Sequence, residues 1–276
     1  MDICTANKNV SLDVKNFMEN VPNVKEESIT DYLVWKLRKL NDRFKYINIK
    51  LFTHQEESTT TGADFELELW LIEENFHLPL IFQAKKFIKQ HDSYFAKLNY
   101  PNKTQVQLKT LLDYAQTNGK VPFYAFYSIP DAKTRTINCH NLTNTACCNG
   151  ISSTAVFMAN ANKVKEFADG KYGKKVSKNK LLEISKPFHC IFCSPAVQSI
   201  GEFSHYFPLL FSGVEPHKNE QKGQQNLPEY VRMLLDHNIS EIKKEEILSV
   251  IDRNELRVFR VVGVYDMRPA SQNGTA

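Results

Sequence analysis

Apolar positions in EESITDYLVWKLRKLN fall at Ile29, Leu33, Leu37 and Leu40, three or four residues apart, with basic residues between them. That repeat predicts an amphipathic helix beginning near Glu26. YINIKLFTH then alternates apolar and polar side chains, ADFELELWLI alternates more strictly, and LPLIFQAKK is a short run of buried types. All three read as strands, separated by the turns ESTTTGA and EENFHLP. TQVQLKTLLDYAQTNG returns to helical spacing and stops at Gly119, after which VPFYAFYSIP is an apolar strand bounded by prolines. The order helix, strand, strand, strand, helix, strand predicts an α/β core over residues 22–130, a central sheet flanked by helices.

From 131 to 276 the pattern weakens. STAVFMANANKVKEFA and LPEYVRMLLDHN read as helices and LRVFRVVGVYDM as a strand, so this half is expected to be an α+β extension packed on the core in one globular unit. Within it, residues 169–180, rich in Gly and Lys, predict a mobile basic loop, and 268–276 a frayed tail. There is no internal repeat.

Composition narrows the classes. The 276 residues are 42% hydrophobic and 24% charged, the profile of a globular protein rather than a disordered one. No stretch approaches the roughly 20 apolar residues that span a bilayer, and the N-terminus lacks a basic segment followed by an apolar run. A cytoplasmic protein without a membrane partner is expected. The formal charge of +4 is compatible with a polyanionic partner but does not demand one. Six cysteines without a leader read as reduced thiols. Cys190 and Cys193 form a CxxC, but the second pair that a structural zinc site needs at matching spacing is missing, which favours buried small hydrophobes over ligands. HExxH, GxSxG and P-loop motifs are absent, and so are helix-turn-helix, C₂H₂ and RNP signatures.

The chemistry concentrates on two strands. Alternate side chains of a strand share a face, so Gln83 and Lys85 in FQAK point one way and Phe82 and Ala84 the other, while Asp64 shares a face with Glu66. If the two strands are neighbours, a carboxylate, an amide oxygen and an ammonium converge. A Mg²⁺ ion takes oxygen ligands, commonly one or two carboxylates with water and substrate phosphate filling the remainder. Asp64 would be the main ligand and Gln83 a neutral second one, and Lys85 would stabilise charge developing on a phosphodiester. Glu26 lies on the apolar stripe of its helix, where a charge is unexpected; it either caps the helix or reaches a metal at the sheet edge.

Glu26, the GAD ending at Asp64, the QAK of Gln83 to Lys85 and a following helix with Gln105 together resemble the PD-(D/E)XK nuclease superfamily in the Q-x-K form of Mrr-like restriction nucleases. More narrowly, EESIT, TGAD, FQAKK, Tyr94, TQVQL, PFYAFYS, PFHCIFC and LPEYV resemble a group of bacterial proteins with a predicted nuclease core. The superfamily motifs cover residues 26 to 128 and the narrower similarity most of the chain. The resemblance implies a restriction-endonuclease-like central mixed sheet and a Mg²⁺-dependent (or Mn²⁺-dependent) nuclease acting on DNA, endo- or exonucleolytic, with a role in restriction or defence. It implies that Asp64 binds metal, Gln83 stands where Asp or Glu is usual, Lys85 is the catalytic lysine, Glu26 is the helix acid and Gln105 lies near the site. Two departures matter: Gln83 leaves one negative charge fewer for the cation, which Glu26, Glu66 or Glu57 would have to offset, and Asp64 follows Gly62 and Ala63 rather than a proline.

Plainer readings compete. An Asp after Gly is often a turn residue, QAK occurs by chance, and Glu66 and Glu68 suit the solvated face of a strand. Lys86 and Lys89 beside the site, with Lys174 and Lys175 in the basic segment, are candidate phosphate contacts, though such runs are commonly solvated surface. The rival classes are a nucleic-acid-binding protein that kept the fold without catalysis, an RNA-directed nuclease, and an interaction protein whose charged strand ends are coincidental. A homodimer would suit cutting of two strands, and a defence-system partner would be unknown.

Overall fold

The computed structural model describes residues 3–40, 48–53, 66–72, 77–90, 93–96, 98, 104–117, 119–137, 151–167, 176–192, 227–235, 249 and 261–266. In chain order these contain α1 (Ile3–Asn20), α2 (Glu26–Lys39), β1 (Asn48–Thr53), β2 (Glu66–Ile72), β3 (His77–Lys86), β4 (Ile88–Gln90), β5 (Ser93–Ala96), α3 (Thr104–Thr117) and β6 (Val121–Tyr127). They continue with β7 (Val156–Asn160), α4 (Ala161–Glu166), β8 (Val176–Ser177), α5 (Lys178–Glu183), β9 (Lys186–Pro187), α6 (Glu229–Leu235) and β10 (Val261–Asp266). Short 3₁₀ turns cover Ile151–Ser153 and Phe188–Phe192.

The fold is α/β, with a mixed sheet flanked by helices. Seven strands run in the order β1-β10-β2-β3-β6-β7-β9, and β4-β5-β8 form a small second sheet. β2 and β10 are parallel, as are β3 and β6, while the other neighbours are antiparallel. The β3–α3–β6 passage is the helical crossover that a parallel pair requires. Strands from residues 156–160 and 261–266 belong to the main sheet, so position 130 marks no break in it.

Alternation along the strands divides the core into two layers. Leu67, Leu69, Phe82, Ala84, Phe123 and Ala125 pack against α1 and α2. On the opposite face Trp70, Ile81, Tyr124, Phe126 and Phe157 pack against α3, α4, α5 and α6. The predicted helix at Glu26 is α2, with Ile29, Leu33 and Leu37 buried as the spacing requires. Helix α1 was not foreseen, yet Ala6, Val10 and Val14 form an i, i+4 stripe that is buried. Polar contacts fasten that helix to the sheet. Ser11 Oγ bonds with Thr154 Oγ1 and accepts from the backbone N–H of Ala155 and Val156 at 3.3 Å each, and Tyr265 Oη donates to Asn7 at 3.1 Å.

Two expectations need correction. STAVFMANANKVKEFA is not one helix: Val156–Asn160 is a strand, followed by α4. Every residue of β7 is buried, so the polar alternation that marks a half-exposed strand is missing, and Asn160 starts the helix by accepting from Asn162 N–H at 2.8 Å. Residues 176–180 of the expected loop form β8 and the first turn of α5, where Lys178 is buried and paired with Asp131. Residues 169–175 and the tail 268–276 lie outside the described residues. No helix among the described residues is long and apolar enough to cross a membrane.

Candidate functional site

Gln83 and Lys85 occupy the carboxyl end of β3. Phe82 and Ala84 belong to the α1/α2 layer, so Gln83 and Lys85 stand on the face covered by α3. Antiparallel β2 sets Glu66 opposite Gln83, and parallel β6 sets Tyr124 opposite Gln83 and Phe126 opposite Lys85. The sequence pairing of an acidic strand with the QAK strand is thereby realised at Glu66; the backbone of that residue is described and its side chain is not.

Gln83 is 1% exposed, and among the described residues neither its Oε1 nor its Nε2 has a hydrogen-bond partner. A buried polar group left unbonded costs roughly 1–3 kcal/mol, so an apolar side chain of the same shape would suit folding better. Lys85, two residues on, is half-buried.

Glu26 arrives from the other layer. The residue preceding α2, Lys25, is extended and makes no side-chain cap. Glu26 Oε2 accepts from the backbone N–H of Lys86, and the Lys86 ammonium donates to the carbonyl of Val24. The sequence offers Glu26 a helix cap or a metal at the sheet edge, and the contact present here is with a strand backbone at that edge. Lys86, expected to meet phosphate, is directed at the start of α2. Lys89 is exposed on the β4–β5 hairpin that follows β3, where Ile88 and Tyr94 are exposed as well.

Asp64, Glu57, Lys174, Lys175 and Cys193 lie outside the described residues, and of Gln105 only the backbone, in the first turn of α3, is described. Cys190 is buried in the 3₁₀ turn Phe188–Phe192. Among the described residues no group of three His, Cys, Asp or Glu side chains could hold a metal ion.

A second polar cluster on the same face was not anticipated. Glu68, expected to be solvated, is fully buried because β2 lies inside the sheet and α6 covers this face near it. Its Oε1 accepts from Trp70 Nε1 at 2.8 Å and from Tyr230 Oη at 2.9 Å, and it forms an ion pair with Lys120 Nζ. The other oxygen, Oε2, is buried with no partner among the described residues. Lys120 is placed by the end of α3: Gly119 adopts φ 61°, where a side chain would be strained, and Lys120 N–H closes back on Ala115 O at 2.8 Å. From there the ammonium sits 5.2 Å from the Tyr114 ring centroid, 5.6 Å from that of Trp70 and 5.9 Å from that of Tyr230. Burial pushes the Lys120 ammonium below its ordinary range, with the Glu68 charge working against that shift. Burial first, and then Glu68, hold the Tyr230 hydroxyl well above the usual tyrosine range.

The fold and the β3 end define an α/β protein with a mixed sheet between two helical layers and a buried amide beside a lysine at a strand terminus. The chain belongs to DUF6615, a family of unknown function whose model matches residues 3–262. No curated protein and no solved structure matches it.

Proposed function

We propose that this protein is a divalent-metal-dependent phosphodiesterase acting on nucleic acid, DNA in the first instance, with a restriction-endonuclease-like core. The observation that carries the reading is Gln83, a buried amide with both polar atoms unbonded, beside Lys85 and across from an acid of the neighbouring strand. Buried polar groups without partners are rare in folded proteins, and where they persist a ligand or reaction is a natural reason.

The residues fit a hard cation in kind. The unbonded Gln83 oxygen is a suitable neutral ligand, and Glu66 and Asp64 supply carboxylates. Glu66 stands across from Gln83, and in the sequence Asp64 precedes the one by two residues as Lys85 follows the other by two. Bound there, a magnesium or manganese ion would supply Lewis acidity and a lowered pKa for its water. Lys85 contributes positive charge toward the phosphate oxygens, and Glu26, bonded to Lys86 N–H, fixes the strand end that carries it. Exposed Lys89 on the adjoining hairpin would contact the backbone of the polyanion without reading sequence. A setting in restriction or defence, and a dimer, rest on the resemblance alone.

The test incubates the purified protein with plasmid, single-stranded DNA and RNA, with and without Mg²⁺ or Mn²⁺. Cleavage of DNA is expected. Asp64→Ala and Lys85→Ala should each lower it by at least about 10²-fold with the circular-dichroism melt unchanged. Wild-type rates in either variant would refute the assignment. The neutral Gln83 favours one second reading, a binding protein without catalysis, which would show salt-sensitive DNA binding and no cleavage with either metal. Cleavage confined to RNA would identify the substrate as RNA.

A further inference from the structure

A cavity of about 580 Å³ opens between α3, α4 and the start of β6, within the size range of small-molecule sites. Leu108, Leu112 and Pro122 form apolar wall, Lys109 and Lys165 stand at the mouth from two different helices, and Lys120 lines the interior. Asp113 is the acidic residue of the lining, and Gln116 and Asn162 add neutral hydrogen-bonding groups. The site is separate from the β3 end. Pro122 pairs with Ile81 and Phe126 with Lys85, a separation of four residues, or about 13 Å along a strand.

We propose that this cavity binds a small phosphate-bearing organic anion of nucleotide size. Lys120 has its charge offset by Glu68, which leaves the exposed Lys109 and Lys165 to meet a phosphate against the one carboxylate of Asp113. A planar apolar ring fits over Leu108, Leu112 and Pro122, and Asp113 with the two amides can bond sugar or ring polar groups. The polar cluster behind the cavity provides a reporter. Trp70 lies against Lys120, and the chain's other tryptophan, Trp35, is on α2 in the opposite layer.

Adenosine 5′-monophosphate, inorganic phosphate and adenosine would be titrated into the full chain carrying Trp35→Phe, read by calorimetry and by Trp70 fluorescence. Saturable binding of adenosine monophosphate is expected, tighter than phosphate or adenosine alone, with a change in Trp70 emission. Lys109→Glu with Lys165→Glu should weaken it by at least about tenfold, whereas Lys85→Ala should leave it unchanged. Failure of the nucleotide to saturate in the millimolar range would overturn the proposal. So would phosphate binding as tightly as the nucleotide, calorimetric binding with Trp70 silent, loss of affinity in Lys85→Ala, or affinity indifferent to the mouth lysines. None of these outcomes bears on cleavage.

Discussion

Replacing Lys120 by methionine is expected to destabilise the protein by about 3–5 kcal/mol, because it strands the Glu68 carboxylate in a fully buried position without its countercharge. The remaining donors, Trp70 Nε1 and Tyr230 Oη, both serve Oε1, and Oε2 is already unbonded, so the protein has little with which to compensate. Removing both charges should behave differently. A Glu68→Leu, Lys120→Met double variant takes away the desolvation cost of two ions along with their attraction, and its stability is expected near or above that of the wild type. Urea titrations of the two single variants and the double variant would measure the coupling directly. A double variant as unstable as Lys120→Met alone would mean that the pair holds the sheet together in a way apolar packing cannot replace.

Gln83→Met should move stability and activity in opposite directions. Methionine has nearly the shape of glutamine and no polar atoms to leave unbonded, so the folded state is expected to gain about 1–3 kcal/mol, seen as a higher melting temperature. If Gln83 serves a cation, the same substitution should cut metal-dependent cleavage to the level of Lys85→Ala. A stabilised variant that cleaves normally would leave the buried amide without a role in the reaction, and a destabilised one would show that its polar atoms contribute to folding.

The strands and helices of the first half were readable because each follows one rule. Leu33 and Leu37 repeat at helical spacing, and TQVQLKTLLDYAQTNG ends at a glycine that does adopt the left-handed conformation. The parts that were misread obey rules that cancel locally. β7 is buried on both faces, so Val156, Phe157, Met158 and Ala159 carry no alternation to distinguish strand from helix. Of the candidate site, the common face of Gln83 and Lys85 followed from alternation, whereas the adjacency of the acidic strand entered only as a condition, and the partner of Glu26, a backbone N–H sixty residues away, had no signature in composition or spacing. Glu68 looked like a solvated acid because its neighbours Glu66 and Leu67 suggest a half-exposed strand. What buries it includes Tyr230, 162 residues later, and no local pattern announces such a contact. A glutamate two residues before a tryptophan on one strand face was the available hint.

The place of β10 bears on how the molecule is assembled. This strand lies between β1 and β2, so among the described strands β1 has its sheet partner, and β2 its second, only after residues 261–266 have left the ribosome. During synthesis the growing polypeptide must carry unpaired edges on its earliest strands for most of its length, a condition that invites association between chains and gives chaperones something to hold.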